Sequence, residues 1–228
     1  MTMKRYTAVL LSLVLVTMIP AQQTPSKAGQ DPAARKILEQ LASQAQADYP
    51  ISLSFDYIFE SLQDSQANTE SGTIILLDEK FRLSIGESEV ICDGHTMWHF
   101  IESANEVYIS DPQDSQDEEE FFLSNPSDLF TFYREDYKYR LTRELTHEGK
   151  QYDEIDLFPN DLSKSYHTIK LLITKEGHML YSAQVLGKHG DNHTVIVKEY
   201  RRKAPVTDET FVFDPSSHPG IEVVDTRL

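Results

Sequence analysis

One cysteine, Cys92, stands in 228 residues, so no intramolecular disulfide is possible whatever the redox compartment. Tryptophan is as scarce, with Trp98 alone. Basic side chains number 21 against 37 acidic ones, a net charge of −16. Such a chain is repelled by nucleic acid and by anionic surfaces at long range, which argues against a nucleic-acid partner. Gly-x-Ser-x-Gly, a phosphate-binding loop and His-Glu-x-x-His are all missing, so no familiar catalytic signature is on offer. Beyond residue 19 there is no apolar run long enough to span a bilayer.

The first 21 residues read as a secretory signal peptide. Lys4 and Arg5 form its positive start, residues 8–19 are almost all apolar, and Pro20-Ala21 offers a small residue for cleavage. An apolar run this short falls below the ~20 residues of a spanning helix. No cysteine sits near the cleavage point, so a lipid anchor there is not expected. The mature chain is expected to be soluble in a bacterial periplasm. Losing Lys4 and Arg5 leaves 19 basic against 37 acidic side chains, or −18.

What is plentiful is aromatic and aliphatic side chains in short alternating runs. Residues 22–30 read as a flexible linker. Asp31-Pro32 then predicts a helix over 32–47, with Ala34, Ile37, Leu38, Leu41 and Ala45 on one face. Pro50 stops it. The period then changes to two. Ile51, Leu53, Phe55, Tyr57 and Phe59 alternate with mostly polar neighbours, predicting a strand with one apolar face. Further strands are expected near 72–78, 80–86, 88–93, 95–102 and 105–110. Residues 111–120 form an acidic loop without the spacing of an EF-hand, followed by Phe121-Phe122-Leu123. Asn125-Pro126 opens a short helix ending near Arg134. Strands are expected again at 137–147, 151–158, 166–174, 178–187, 192–202 and 209–213.

So many strands and so few helices make a single antiparallel sheet in one domain, residues 31–228. One or two helices cannot cover both faces of a sheet that size. Either it folds into a packed sandwich, or it curves and keeps an apolar interior open to a ligand.

Chemistry-bearing candidates are few. His95 and His99 would share a strand face and could hold a metal only with a third ligand from a neighbouring strand. His189 and His193 straddle a turn. Cys92 could act with a histidine in an enzyme, but Val90-Ile91-Cys92 is an apolar strand and a poor place for a thiolate. No metal, cofactor or catalytic residue is expected.

In the order and spacing of its elements the chain resembles the outer-membrane lipoprotein carrier family of periplasmic chaperones, the LolA type. The resemblance rests on the signal peptide, helix 32–47, Ser54-Phe55, Gly72-x-Ile74-x-Leu76, Phe81-x-Leu83 and Asp93-Gly94-x-x-Met97-Trp98. The ending Pro219-Gly220-Ile221-Glu222-Val223-Val224-Asp225-x-Arg227 matches too. One departure stands out. Where proteobacterial members carry an Arg-Pro pair after the Gly-x-apolar-x-apolar strand, with an arginine tied to handing on cargo, this chain has Leu77-Asp78-Glu79-Lys80.

The resemblance implies an unclosed β-barrel, a strongly curved antiparallel sheet with an α-helical lid over its concave face. It implies a carrier that binds the acyl chains of lipoproteins and takes them from the inner to the outer membrane as a monomer. An inner-membrane ATP-driven transporter would load it and an outer-membrane acceptor would receive the cargo. The lipid-binding residues expected on this basis are Ile51, Leu53, Phe55, Tyr57, Phe59, Ile74, Leu76, Phe81, Leu83 and Trp98. Ile37, Leu38 and Leu41 would close the cavity from a movable lid helix, and Phe121, Phe122, Leu129 and Phe130 would form a second lid segment. Two alternatives remain: a lipid- or lipoprotein-sensing module of the same fold, or a Cys/His enzyme.

Overall fold

The computed structural model describes residues 29–114, 126–134 and 136–227. The expected signal peptide, most of the linker, Phe121, Phe122 and most of the acidic loop lie outside the described residues. Among those described, no helix is long and apolar enough to cross a membrane.

Asp31 caps helix α1 (Pro32–Asp48), its Oδ1 accepting from the Ala33 N–H at 2.8 Å, and Pro32 takes the first helical position. Ala34, Leu38, Leu41, Ala42 and Ala45 are its buried face. Gly29 and Gln30, read as the end of the linker, are already held: Gln30 bridges Tyr139, and the Gly29 carbonyl accepts from the Tyr139 N–H at 3.1 Å.

Among the described residues twelve strands follow: β1 (Ile51–Ser61), β2 (Gln66–Leu77), β3 (Lys80–Ile85), β4 (Ser88–Cys92), β5 (Met97–Ile101), β6 (Glu106–Ser110), β7 (Tyr137–His147), β8 (Lys150–Pro159), β9 (Tyr166–Thr174), β10 (Leu180–Gly187), β11 (Asp191–Arg201) and β12 (Glu222–Asp225). They form one sheet in the order β12-β6-β5-β4-β3-β2-β1-β11-β10-β9-β8-β7. β12 and β7 are its two edges, so the curved sheet does not close into a barrel. Every pairing is antiparallel except that of β12 with β6. The long crossover joins β6 to β7 through residues 126–134, which bring β7 to the far edge and lay their own side chains over the concave face.

Four expectations need correction. β2 begins at Gln66 rather than near 72, because residues 66–71 are exposed on both faces and lack apolar alternation. The helix expected from 126 to 134 is two single 3-10 turns, Pro126–Asp128 and Phe132–Arg134. The strand expected at 209–213 is a 3-10 turn, Asp208–Phe211, whose Phe211 and the following Phe213 are buried by packing rather than by a strand ladder. The short parallel strand β12 carries no strong alternation and was not expected.

The two faces are finished differently. Across β7–β9 the convex face carries a ladder of charges: Arg143 meets Glu154 at 2.8 Å, while Lys170 meets Asp156 at 3.0 Å and Glu154 at 3.5 Å. Burial works against the charged form of Asp156. Hydrogen bonds from Lys170, Thr142 and Arg140 outweigh it and hold the carboxyl below its ordinary range. Across β4–β6 the convex face is instead apolar. Ile91, Phe100 and Val107 form a small second core closed by Phe213 and flanked by Trp98 and Ile221.

Candidate functional site

The concave face is a trough whose floor is set by strand alternation. Along β1, Ile51, Leu53 and Phe55 are buried and point the same way. Register brings Ile51 opposite Leu76, Leu53 opposite Ile74, and Phe55 opposite Gly72. A Cβ at Gly72 would lie 2.5 Å from the Phe55 ring and 2.9 Å from the Ser84 carbonyl, so only glycine lets that ring lie flat across the strand. Phe81 and Leu83 of β3 continue the floor on one side. Ala183 and Val185 of β10 and Val195 of β11 continue it on the other.

Two elements cover the trough. α1 packs on β7 at one side and is tied down at both ends. At its start the Tyr139 carbonyl accepts from the Asp31 N–H at 3.0 Å, and the Leu141 N–H donates to Asp31 Oδ2 at 3.0 Å. The Leu141 amide is the main reason the Asp31 carboxyl is held below its ordinary pKa. At its end Asp48, 6% exposed, accepts from the Tyr200 hydroxyl at 3.2 Å and pairs with Arg202 at 3.3 Å. Burial, then the Asp48 charge, pushes the Tyr200 phenol far up, so it remains a neutral donor.

The second cover is residues 126–134, whose first turn, Pro126–Asp128, lies against β2 and β3. Phe130, Phe132 and Tyr133 are buried. Three backbone bonds, Leu129 to Pro126, Thr131 to Asp128 and Arg134 to Thr131, each close within the segment. Beneath Pro126 and Leu129 lies a void of about 20 Å³, floored by Leu53, Phe55, Ile74, Leu83, Leu180, Val195 and Val197. That is room for roughly one water molecule. Beyond the covers the trough runs on into an open cleft of about 170 Å³, lined by Phe59, Tyr166, Val185 and His193. There the Tyr57 hydroxyl and His193 Nδ1 are 2.7 Å apart.

The structure therefore brings twelve of the thirteen sequence-picked residues to the covered side of the sheet. Ile37, Leu38 and Leu41 come from α1, Ile51, Leu53, Phe55, Ile74, Leu76, Phe81 and Leu83 from the floor, and Tyr57 and Phe59 from the open end. Trp98, expected among them, is the exception. It lies on the convex face with Ile91 and Phe100, because Met97 and Cys92 already take the trough side of β5 and β4. Leu129 and Phe130 belong to the cover, but in the turn between its two 3-10 segments rather than in a helix. Leu180, Val195 and Val197 were missed. Their signal was the period-2 spacing of Val195 and Val197, which fixes a face only once the pairing of β11 with β1 is known.

The other candidates do not converge. His95 sits in the turn before β5, whereas His99 is in β5 with Nε2 2.7 Å from Ser88 Oγ. Burial pushes the Cys92 thiol up, and its sulfur accepts from the Gly94 N–H at 3.4 Å. The Asp-Gly motif has a structural role. Asp93 Oδ1 accepts from the N–H groups of His95 and Thr96, both at 2.8 Å, closing the turn that Gly94 makes at φ +93°. Arg227, from the chain's ending, donates to Thr96 Oγ1 at 3.2 Å. Two stretches far apart in sequence thus meet at one turn.

No curated protein matches the chain in sequence. Among solved structures, an uncharacterized conserved protein from Thermus thermophilus shares the fold, with a TM-score of 0.54 at 12% identity over 85% of this chain and 99% of its own. A LolA superfamily protein from Nitrosomonas europaea aligns with a TM-score of 0.45 at 14% identity, over 79% of this chain and 98% of its own. LprF from Mycobacterium bovis aligns with a TM-score of 0.47 at 12% identity, over 82% and 99%. The model of the family described as outer membrane lipoprotein carrier protein LolA matches residues 54–214, from within β1 to Asp214 beside the convex-face core. That span takes in the trough floor except Ile51 and Leu53, the second cover and ten of the twelve strands entire, and on it the chain belongs to the LolA family.

Proposed function

We propose that the protein is a periplasmic carrier that takes the acyl chains of lipoproteins into its trough and delivers them from the inner to the outer membrane. The observation that supports this reading is the division of the cover. α1 is anchored at both ends, whereas residues 126–134 sit over the void on buried side chains and short local turns. A void of about 20 Å³ holds no acyl chain, so cargo enters by displacing Leu129 and Phe130. That exchange has a thermodynamic use. Each CH₂ withdrawn from water is worth about 0.8 kcal/mol, enough to trap a multiply acylated protein in a tight cavity. Re-exposing the plug on loading offsets part of that gain and keeps release possible.

The lipid-binding set is Ile37, Leu38, Leu41, Ile51, Leu53, Phe55, Tyr57, Phe59, Ile74, Leu76, Phe81 and Leu83, with Leu129 and Phe130 as the displaceable part. An ATP-driven inner-membrane transporter loads the carrier and an outer-membrane acceptor unloads it. No bond is made or broken.

A sensing module of the same fold is the second reading, favoured by one observation. Asp78, where relatives place a transfer arginine, sits at φ +52° in the two-residue turn between β2 and β3, a conformation Asp tolerates. Asp78 is also one of the two carboxylates, with Asp128 of the cover, that raise the Tyr49 phenol after burial.

The test is to incubate the purified protein with inner membranes holding acylated lipoproteins and weigh the recovered complexes by native mass spectrometry. A carrier leaves with one lipoprotein per chain and surrenders it to outer membranes. Retention without surrender favours the sensor, and recovery of unacylated protein alone sinks both readings.

A further inference from the structure

The outer half of β2 has a free edge. β3 pairs with β2 only from Gly72, opposite Ile85, to Leu77, opposite Lys80. Residues 66–71 run on past that ladder, paired with β1 alone and exposed on both faces. Alternation fixes where their backbone groups point. The Leu62 N–H turns toward β11 and donates to the Gly190 carbonyl at 3.0 Å. The backbone groups of Ser61, Phe59 and Tyr57 therefore turn to β2, and those of their partners Gln66, Asn68 and Glu70 turn back to β1. Ala67 and Thr69 face the other way, on the side of β3 but beyond its end. Counting from the other end gives the same phase: Leu77 and Lys80 close a two-residue turn, so the odd residues of β2 turn toward β3.

Free edges are normally blunted by a bulge, a proline or basic side chains. β7 follows that rule. Its start is covered by Gly29 and Asp31, and its outer half carries a register shift between Leu141 and Arg143. The outer half of β2 has none of these devices. Its pairing with β1 runs without a shift, and Gln-Ala-Asn-Thr-Glu-Ser holds one charge and no proline. The same strand joins this edge to the trough. Its inner half supplies Ile74 and Leu76 to the floor, while Asn68 stands opposite Phe59, which lines the open cleft. One strand spacing, about 5 Å, separates the ribbon from that floor.

We propose that the outer edge of β2 takes up the extended peptide next to the acylated residue of the cargo, as a strand added to the sheet. The inference rests on the carrier reading and deepens it: acyl chains lie in the trough, and the polypeptide they anchor leaves through the open cleft along Ala67 and Thr69. Main-chain N–H and C=O groups are the same in every peptide, so an added strand is held whatever its sequence. The small side chains of residues 66–71 offer no pocket that would select one sequence over another. That is the chemistry a carrier of unrelated proteins requires, since the acyl anchor is all such cargoes otherwise share.

The test uses a short-chain diacylglyceryl cysteine amide, the same lipid extended by a short serine–glycine tail, and the tail alone. Binding is read by calorimetry on the full mature chain. The tailed lipid should bind about tenfold more tightly than the tail-less one, the worth of one or two backbone bonds, and the tail alone should not bind measurably. N-methylation of every second tail residue should remove the gain in one phase and spare it in the other, because only alternate N–H groups face the sheet. Thr69→Pro deletes an outward N–H and should also remove the gain, with tail-less affinity and thermal midpoint near wild type. Should that variant fail to fold, the N-methylated tails read the same bonds from the ligand side. Equal binding with and without the tail overturns the inference and leaves the carrier reading standing. A gain that survives N-methylation in both phases overturns it too. A tail binding as tightly without its lipid gives the edge to free peptides, and a wild-type dimer that Thr69→Pro dissociates gives it to a second copy; either overturns the assignment to cargo. Binding of neither lipid, with no acylated lipoprotein retained, sinks both the inference and the carrier reading.

Discussion

The two covers of the trough are built on opposite plans. α1 is a regular helix with a capped start, a buried stripe and polar anchors at each end, Asp31 to β7 and Asp48 to β11. Residues 126–134 have no continuous helix and bury bulkier side chains, Phe130, Phe132 and Tyr133, on less backbone order. The void lies under the second cover, not the first. A regular element with long-range ties opens only at a cost close to global unfolding, whereas a segment of short turns can open locally. On the proposed function, residues 126–134 would be the part of the cover that opens and α1, the roof, the part that stays.

The largest expected effect tests the roof. Leu38 is 0% exposed in the main core, so Leu38→Glu buries an uncompensated carboxylate and should leave little folded protein. Leu38→Ala should cost about 2–5 kcal/mol, roughly 5–15 °C in thermal midpoint for a chain of this size. A Leu38→Glu protein that melts like wild type would show α1 to be the swinging element and reverse the comparison.

Next comes the plug. Phe130→Ala removes a larger side chain at similar burial, and in a rigid core that costs about 3–5 kcal/mol. Here the expected loss is smaller than for Leu38→Ala, on the order of 2 kcal/mol, because the segment relaxes over its void. Uptake of acylated cargo should become faster in the same variant. Slower uptake with the larger stability loss would place Phe130 in ordinary core.

A smaller effect concerns the tether of α1. The Asp31 carboxyl titrates below its unfolded value, first because of the Leu141 amide. A depressed folded pKa means the contribution is complete above the unfolded pKa of about 3.9 and is lost as pH falls through the folded one. Asp31 is largely solvated, so only a few tenths of a kcal/mol are expected. Asp31→Asn should lower stability at pH 7 by those few tenths, match the wild type at the acid end, and so flatten the acid limb slightly. An identical acid limb in both proteins would remove the tether from the account.

The smallest signal is kinetic. Cys92 faces the trough and burial pushes its thiol up, so it should react slowly with a thiol reagent at neutral pH. Phe130→Ala should speed that reaction without global unfolding, and fast labelling of the wild-type thiol would contradict a closed trough.

Much of this was legible in the residues. Asp31-Pro32 and the stripe through Leu38 and Leu41 specified α1 by capping and a 3.6-residue period, which are local properties. Ile51, Leu53 and Phe55 specified β1 by alternation, and Asp93-Gly94 specified a turn by its side-chain bonds. Residues 66–71 were not legible as strand, since a ribbon exposed on both faces leaves no apolar pattern. Residues 126–134 resembled a helix because Pro126 and the apolar residues after it mimic one. What they form instead is decided by the depth of the groove they fill.

Sequence alone determined that this chain makes one apolar-faced sheet, one capped helix and no disulfide, because periodicity, capping and cysteine count act within a few residues. Tertiary structure decided which face each strand presents and what covers it. Trp98 shows why: its alternation with Met97 is plain in sequence, but which of the two enters the trough depends on register with β4 and on the C-terminal segment that brings Phe213 and Ile221 to the opposite face. Those partners lie more than a hundred residues away, and only the folded path of the chain brings them within contact.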